Sequence, residues 1–515
     1  GCGDCSQKSN CLSVIPRETE QGRKRRIDQS SCNKDFSCVS GFCPSFVTIE
    51  GGQLRKGGGV SIGEAFNQKL AALPLPQLNE LNGSYNLLVG GVGGTGVVTV
   101  GALITMAAHL ESKGATVLDF MGFAQKGGTV LSYVRLAPQP DDIHQVRIET
   151  GQADAMIACD MVVATSDKAL SVLRKDHSRA VLNLAEIATA DNVLYRDADM
   201  KSTRRVRILG EAVGDDRMDT IDANRLAETL LGDTVFSNVM MLGFAWQSGL
   251  VPVSLDALQK AIELNGVAIE KNKTAFNWGR LAAVDAVFVQ QSAGGHKPAP
   301  ELTLETQIER NTAFLTKYQD AKYAARYRDL VSKVSGAEAA LGVDSQALTE
   351  AVSKQLFRLM AYKDEYEVAR LYTDSDFLKE VSETFEGDYR INFHMAPPLL
   401  ARKRDAQGRP KKMSFGPWML KALGTVAKMR SLRGTKLDLF GYHPDRKLER
   451  QLRDEYETQI STLVARLNDR NYQVSLKLAQ VPDEIRGFGL VKEQAAKAAR
   501  EQSEQLLAEI DGLSA

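Results

Sequence analysis

The sequence has no uninterrupted apolar run near the ~20 residues that a membrane-spanning helix needs, so no transmembrane segment is expected. It has no excess of either charge: 64 Lys and Arg stand against 64 Asp and Glu over 515 residues. Such a chain has no global field for gathering nucleic acid or an anionic membrane, and neither is expected as a partner. The opening residues lack the charged-then-apolar layout of a secretory signal, which points to a soluble, cytoplasmic protein. Histidine is scarce, six in all, and none lies near the first cysteines. Cysteine itself nearly vanishes after the start: of seven, only Cys159 lies beyond residue 43.

What remains is an ordinary globular composition, 43% hydrophobic and 25% charged. It is long enough for roughly two to four domains. The first residues, Gly1-Cys2-Gly3-Asp4-Cys5, stand inside a cysteine motif with no initiator Met, as expected of a piece of a longer protein. Cys2, Cys5, Cys11, Cys32, Cys38 and Cys43 are spaced C-x2-C-x5-C, then C-x5-C-x4-C-P. Three chemistries compete for them. A disulfide framework suits short secreted domains rather than the head of a long chain. A structural zinc site usually takes two close ligand pairs, and only one C-x2-C is present. Iron–sulfur ligation fits best: thiols come from two segments, Cys43 precedes Pro44, and small residues such as Gly3, Ser6, Ser37 and Gly41 let backbone N–H groups approach the sulfurs. Between the groups, Arg23-Lys24-Arg25-Arg26 reads as a solvated basic turn, or as a docking patch for an acidic electron carrier.

From Tyr85 the pattern becomes α/β. Asn86–Val89 reads as a buried strand, Gly90-Gly91-Val92-Gly93-Gly94-Thr95-Gly96 as a loop, Val97 to Lys113 as a helix and Val117–Phe120 as the next strand. Glycines there permit a tight turn and let amides face a phosphate at the helix start. Taken alone the loop admits a dinucleotide, with Asp119 as ribose ligand, or glycines that serve only packing. A polar turn at Ala124–Gly128 leads into another strand, and Ala155–Ile157, Met161–Ala164, Val181–Leu184 and Val206–Leu209 are further strand candidates. Cys159 reads as a small buried hydrophobe. From Asn224 the period is helical to about Ala283.

The head GCGDCSQKSNCLSV…SSCNKDFSC…GFCPSFVTIEGG resembles the ferredoxin-like segment of bacterial indolepyruvate ferredoxin oxidoreductases. LLVGGVGGTGVVTVGALI…MGFAQKGGTVLSYVRL and AIELNGVAIEKNKTAFNWGR are similar to the gamma domain of 2-oxo acid:ferredoxin oxidoreductases, and the later stretches LMAYKDEYEVARLY, FHMAPPLL, FGPWML and IRGFGLVK to the helical extension of the long fused form. The resemblance implies a multidomain α/β chain: a ferredoxin-like iron–sulfur segment (1–55), a linker (56–84), a Rossmann-like gamma domain (85–290), a second linker (291–304) and a mainly α-helical C-terminal domain (305–515). It also implies one or two [4Fe–4S] clusters held by the six head cysteines. Gly91, Gly93, Gly94, Gly96 and Gln125 would face the active-site or coenzyme A region. The implied partners are ferredoxin, coenzyme A and an aryl pyruvate, with the chain in a homo-oligomer. The thiamine diphosphate signature, Gly-Asp-Gly followed by paired asparagines, is not found, so that cofactor is expected on a half of the enzyme outside this sequence. An NAD(P)-dependent iron–sulfur oxidoreductase and a zinc-stapled assembly module are the alternatives.

After 292–300 the sequence reads as helical, with Leu348–Leu371 and Leu448–Leu467 carrying apolar residues at three- and four-residue intervals. Tyr318, Tyr323, Tyr327, Tyr362, Tyr366 and Tyr372 read as partial core, and His394 as structural. Arg402-Lys403-Arg404 and Lys411-Lys412 read as a solvated loop, with acidic carriers or coenzyme A phosphates as the alternative targets.

Overall fold

The computed structural model describes residues 3–17, 19, 22–43, 45–55, 63–122, 128–187, 193–195, 197–199, 201–294, 303–343, 345–374, 376–397 and 411–514. Cys2, Pro44, Gln125 and Arg402-Lys403-Arg404 lie outside them. Contacts divide the chain into two compact units. Gly1–Arg26, Asn33–Arg55 and Ala299–Ala515 form one, Ile27–Cys32 and Lys56–Pro298 the other.

The second unit is built on a six-stranded sheet. Its elements are β1 (Tyr85–Val92), α1 (Val97–Leu110), β2 (Gly114–Met121), β3 (Thr129–Ala137), β4 (Ala155–Ala158), β5 (Arg179–Asn183), α2 (Ser202–Val213), β6 (Met218–Ile221), α3 (Ala223–Leu231), α4 (Ser237–Gln247), α5 (Leu255–Asn265) and α6 (Ile269–Val284). The strand order is β6-β5-β4-β1-β3-β2. β1, β4, β5 and β6 pair in parallel, while β3 runs antiparallel between β1 and β2. Leu87, Leu88 and Val89 of β1 have no exposed surface, as expected of a central strand covered on both faces. On α1 the buried positions Val97, Val100, Leu103, Ile104, Ala107 and Ala108 recur at three- and four-residue steps and join the core over the sheet.

Two expected strands are helical. Met161–Ala164 forms one helical turn, because the Asp160 carboxylate accepts the Val163 N–H and starts a helix where the apolar run suggested a strand. Val206–Leu209 lies inside α2, whose buried residues Leu209, Gly210 and Val213 follow a helical step. Against the sheet, α4 is buried on every residue and crosses α6 at two glycines. A Cβ at Gly243 would lie 1.9 Å from the Phe276 carbonyl oxygen, and one at Gly279 1.9 Å from that of Met240.

In the first unit the head is woven into the C-terminal region. Its strand Phe46–Glu50 pairs antiparallel with Arg390–Met395, which also pairs with Met413–Phe415. Phe385–Glu386 pairs antiparallel with Gln53–Leu54, so the region read as wholly helical contributes three strands among the described residues, and His394 sits in one, its Nε2 2.9 Å from Thr48 Oγ1. Lys24–Ile27 is a strand of a two-stranded sheet, not a solvated turn. Burial first, then Arg358, Lys363 and Arg486, pulls the Lys24 ammonium down to about 8. The helices Leu304–Tyr318, Ala321–Ala340, Ala347–Met360 and Pro444–Val464 enclose the main core of this unit. Tyr318, Tyr323, Tyr327, Tyr362, Tyr366 and Tyr372 are all buried. Tyr318 donates to the Tyr362 carbonyl and Tyr323 to that of Met360, so most hydroxyls are satisfied inside.

Candidate functional site

In the α/β unit the glycine loop leaves the carboxyl end of β1, beside the end of β4. The chain passes from β1 to one side of the sheet and returns to β4 on the other, so this is the reversal point where open α/β folds bind ligands. The four glycines do two different jobs. Gly94 and Gly96 have φ +85° and +94°, a conformation that side chains rarely adopt. Gly91 and Gly93 sit close to neighbours: an added Cβ would come within 2.7 Å of Val97 Cγ2 and 3.3 Å of the Gly128 carbonyl oxygen respectively. The Gly93 N–H donates to that same oxygen at 2.8 Å, so Gly128, which leads into β3, is tied to the loop. With Gly96 at the cap position, no side chain caps the start of α1 by a hydrogen bond.

Asp119, the ribose candidate, does not reach this loop. β3 lies between β1 and β2, and the Asp119 carboxylate accepts a hydrogen bond from the Ser132 hydroxyl. The crossover strand is thus not the neighbour of β1, as a dinucleotide fingerprint requires.

Two residues that the loop pattern did not single out complete this edge. Asn238, 3% exposed, donates through Nδ2 to the Thr95 carbonyl at 2.7 Å and faces Thr95 Oγ1 at 3.2 Å. Its position on a continuous apolar helix gave the only signal: a lone amide in such a run needs a partner. Asn238→Ala is expected to cost about 1–2 kcal/mol and to speed amide exchange at residues 94–97. Mass-spectrometric exchange across that segment would show it.

Asp160 is wholly buried at the end of β4, and burial pushes its carboxyl up to about 6 against the Val163 and Val162 N–H groups and Arg205. The folded pKa is raised above the ordinary value of about 3.9, so the folded chain holds the proton more tightly. This contribution favours folding below about pH 4 and is lost as pH rises through about 6. Urea unfolding between those values should show a decline in stability that Asp160→Asn flattens. Neighbouring Cys159 is 2% exposed in the sheet core, and burial pushes its thiol up to about 12.

In the other unit two of the head cysteines lie on neighbouring elements. Cys5 lies on the helix Asp4–Ser9 and Cys38 on the turn Ser37–Ser40, two elements in contact. Gly41 presses on Cys5: a Cβ there would come within 2.6 Å of the Cys5 Cα. Asp4 fastens the segment by accepting the Phe42 N–H at 2.6 Å. Lys412, expected in a solvated loop, is instead half-buried here. It donates to the Val39 carbonyl at 2.8 Å and lies 4.5 Å from the centre of the Phe46 ring. Burial pulls its ammonium down to about 8, opposed by Cys43, Cys5, Asp4 and Cys38. The Tyr372 hydroxyl is buried with no hydrogen-bond partner among the described residues, and after desolvation Cys43 is the group that acts on it. Cys11 is half-buried nearby in sequence, and Cys32 falls with Ile27–Cys32 in the other unit. Among the described residues no three Cys, His, Asp or Glu side chains already stand as a finished metal cage. The charges of Cys43, Cys5 and Cys38 are felt by the Lys412 ammonium, and that of Cys43 by the Tyr372 hydroxyl.

The model of the pyruvate ferredoxin/flavodoxin oxidoreductase family matches residues 86–282, the sheet with its glycine loop and the α4–α6 helices. Indolepyruvate oxidoreductase subunit IorB of Pyrococcus horikoshii is 27% identical over 201 residues, covering 39% of this chain and 96% of the relative. Over this α/β unit the chain is similar to the 2-oxoacid:ferredoxin oxidoreductase family. Pyruvate synthase subunit PorC of Methanothermobacter thermautotrophicus is 28% identical over 187 residues, 36% of this chain and 88% of its own length. A crystal structure of pyruvate oxidoreductase subunit PORC from Thermotoga maritima covers 39% of this chain and 96% of its own at 19% identity, with a TM-score of 0.29. Residues 304–505 match a family of unknown function (DUF6537). No helix among the described residues is long and apolar enough to cross a membrane.

Proposed function

We propose that this chain is the cluster-bearing and gamma-type portion of an indolepyruvate-type 2-oxoacid:ferredoxin oxidoreductase acting in the cytoplasm. The whole enzyme would decarboxylate an aryl pyruvate oxidatively, join the acyl group to coenzyme A and release CO2, while two electrons pass singly to ferredoxin. Thiamine diphosphate, held outside this sequence, would supply the electron sink, and [4Fe–4S] chemistry the exit route. The residues here that would hold iron are drawn from Cys2, Cys5, Cys11, Cys32, Cys38 and Cys43. The Gly91–Gly96 loop, with Gln125 on the adjoining turn, would face the acyl-transfer side. The observation that carries the reading is the match of residues 86–282 to the pyruvate ferredoxin/flavodoxin oxidoreductase family in a chain whose head brings Cys5 and Cys38 onto contacting elements.

Anaerobic purification and reconstitution of the full chain tests it. Iron and acid-labile sulfide, with broad absorbance that bleaches on dithionite, are the expected result. Cys5→Ser and Cys38→Ser should each lower the iron content, while Cys159→Ser should leave it unchanged. A preparation that takes up no iron ends the electron-transfer role, and equal loss in Cys159→Ser overturns the ligand assignment.

A further inference from the structure

The helix α1 carries no Asp, Glu, Lys or Arg in its 14 positions, in a chain where 25% of residues are charged. A helix that borders water normally shows ionic side chains on its outer face. Here the outer positions are Ala102, Met106 and Leu110, all exposed and about one turn apart. A Cβ at Gly101 would lie 3.2 Å from Val117 Cγ2, so α1 rests over β2. Its inner flank meets α4, which reaches β4 and β5 beyond β1, so the stripe turns toward the β2 side of the sheet. There β2 forms the edge. It runs unbroken against β3 from Gly114 to Met121, and no strand lies on its outer side among the described residues. Edges that border water are usually guarded by lysine, proline or a bulge. β2 has none of these: its one ionic side chain, Asp119, is engaged by Ser132, and Phe120 and Met121 are exposed. Edge and stripe make one uncharged surface, of the kind that another polypeptide covers.

We propose that this surface joins two copies of the chain, the β2 edges pairing antiparallel about a two-fold axis to make one continuous sheet. Charge selects the occupant. A two-fold contact sets a surface against its own copy, which a neutral surface tolerates and a charged one resists, while a partner of either sign finds nothing here to recognise. Residue size agrees. Side chains stay on their own face of the joint sheet only where the axis passes through a residue rather than between two. With the axis at Val117 or at Leu118, the small residues Gly114, Ala115 and Thr116 lie opposite the bulkier end of the other copy's strand. At Leu118, Ala115 meets Met121 and Thr116 meets Phe120. An eight-residue edge with one helix stripe falls at the low end of the ~800 Å² per partner that stable pairs bury, so the dimer is expected to dissociate on dilution. The inference stands apart from the iron–sulfur reading of the head.

Sedimentation velocity of the full chain over a range of concentrations tests it. A monomer–dimer equilibrium is expected, with amide exchange across residues 114–121 that quickens on dilution. Met121→Glu, at a position 67% exposed in the single chain, should weaken the dimer about tenfold or more by burying an unpaired carboxylate. Adding Ala115→Lys should recover most of that loss, because the introduced ammonium meets the introduced carboxylate of the other copy. Within one chain the two positions stand about 20 Å apart along the strand and cannot pair. A chain that is monomeric at every concentration overturns the proposal. So does a dimer that neither Met121→Glu nor Met106→Glu weakens, since it uses another face. A double variant that is folded by circular dichroism yet no tighter than Met121→Glu overturns the strand pairing. Should the double variant misfold, Met106→Glu on the helix stripe decides: a weaker dimer supports the surface, and an unchanged one overturns it.

Discussion

Gly279→Ala unfolds the α/β unit at temperatures where the unsubstituted chain is native, with a destabilisation of roughly 3 kcal/mol or more. The new methyl group would lie 1.9 Å from the Met240 carbonyl oxygen and 2.8 Å from the Phe244 N, both backbone atoms of α4. No rotamer change relieves such a clash; the two helices must separate. Because α4 is buried throughout, separation opens the core that also holds α1 and β1. Gly243→Ala, the reciprocal contact on Phe276, should behave the same way. A useful contrast is Gly336→Ala in the helix Ala321–Ala340, where nothing lies within 4 Å of an added Cβ. That change should stabilise the chain by about 0.5–1 kcal/mol through helix propensity. Differential scanning fluorimetry of the three variants would reveal the opposite signs, and equal melting temperatures would refute the crossing geometry.

The second large effect is expected in the other unit. Arg433 and Asp364 are 4% and 3% exposed and form a two-pronged pair, Nε to Oδ2 at 2.5 Å and Nη2 to Oδ1 at 2.8 Å. The guanidinium also donates to the Tyr318 carbonyl and stacks 3.7 Å from the centre of that ring. Asp364 in turn caps the helix Glu365–Thr373 by accepting the Glu367 N–H. Arg433→Met leaves the carboxylate buried without its counter-charge and should cost about 3–5 kcal/mol. Combining it with Asp364→Asn should recover part of that loss, since the stranded charge is then removed. Urea denaturation of the two single variants and the double would measure the coupling; strict additivity would mean that the pair acts as two independent groups.

Much of the α/β unit could be read from residue order. The run Asn86–Val89 is apolar enough to require burial on both faces, and Gly94 and Gly96 mark the turn that only glycine makes comfortably. What stayed hidden depended on partners distant in the chain. The antiparallel β3 enters the sheet beside β1, and no local pattern announces which edge a strand joins; Asp119 therefore looked available when Ser132 already engages it. Met161–Ala164 is too short for either period to declare itself, and the Asp160 cap decides it. The strand Arg390–Met395 was missed because its pairing partner, Phe46–Glu50, stands in the head. Lys412 looked solvated for the same reason: the surface that buries it is contributed by residues near the other end of the sequence. The head cysteines were conspicuous by spacing, whereas the contact between the elements of Cys5 and Cys38 was not.

The pairing of Phe46–Glu50 with Arg390–Met395 has a consequence for biosynthesis. A ribosome adding about 5–20 residues per second needs roughly 20–70 s to travel between those two strands. Throughout that interval the newly made thiols lack both the neighbouring strand and the lysine behind it. Oxidation by stray oxygen and capture by protective chaperones must therefore compete during translation itself, and slow elongation through the later region prolongs the exposure.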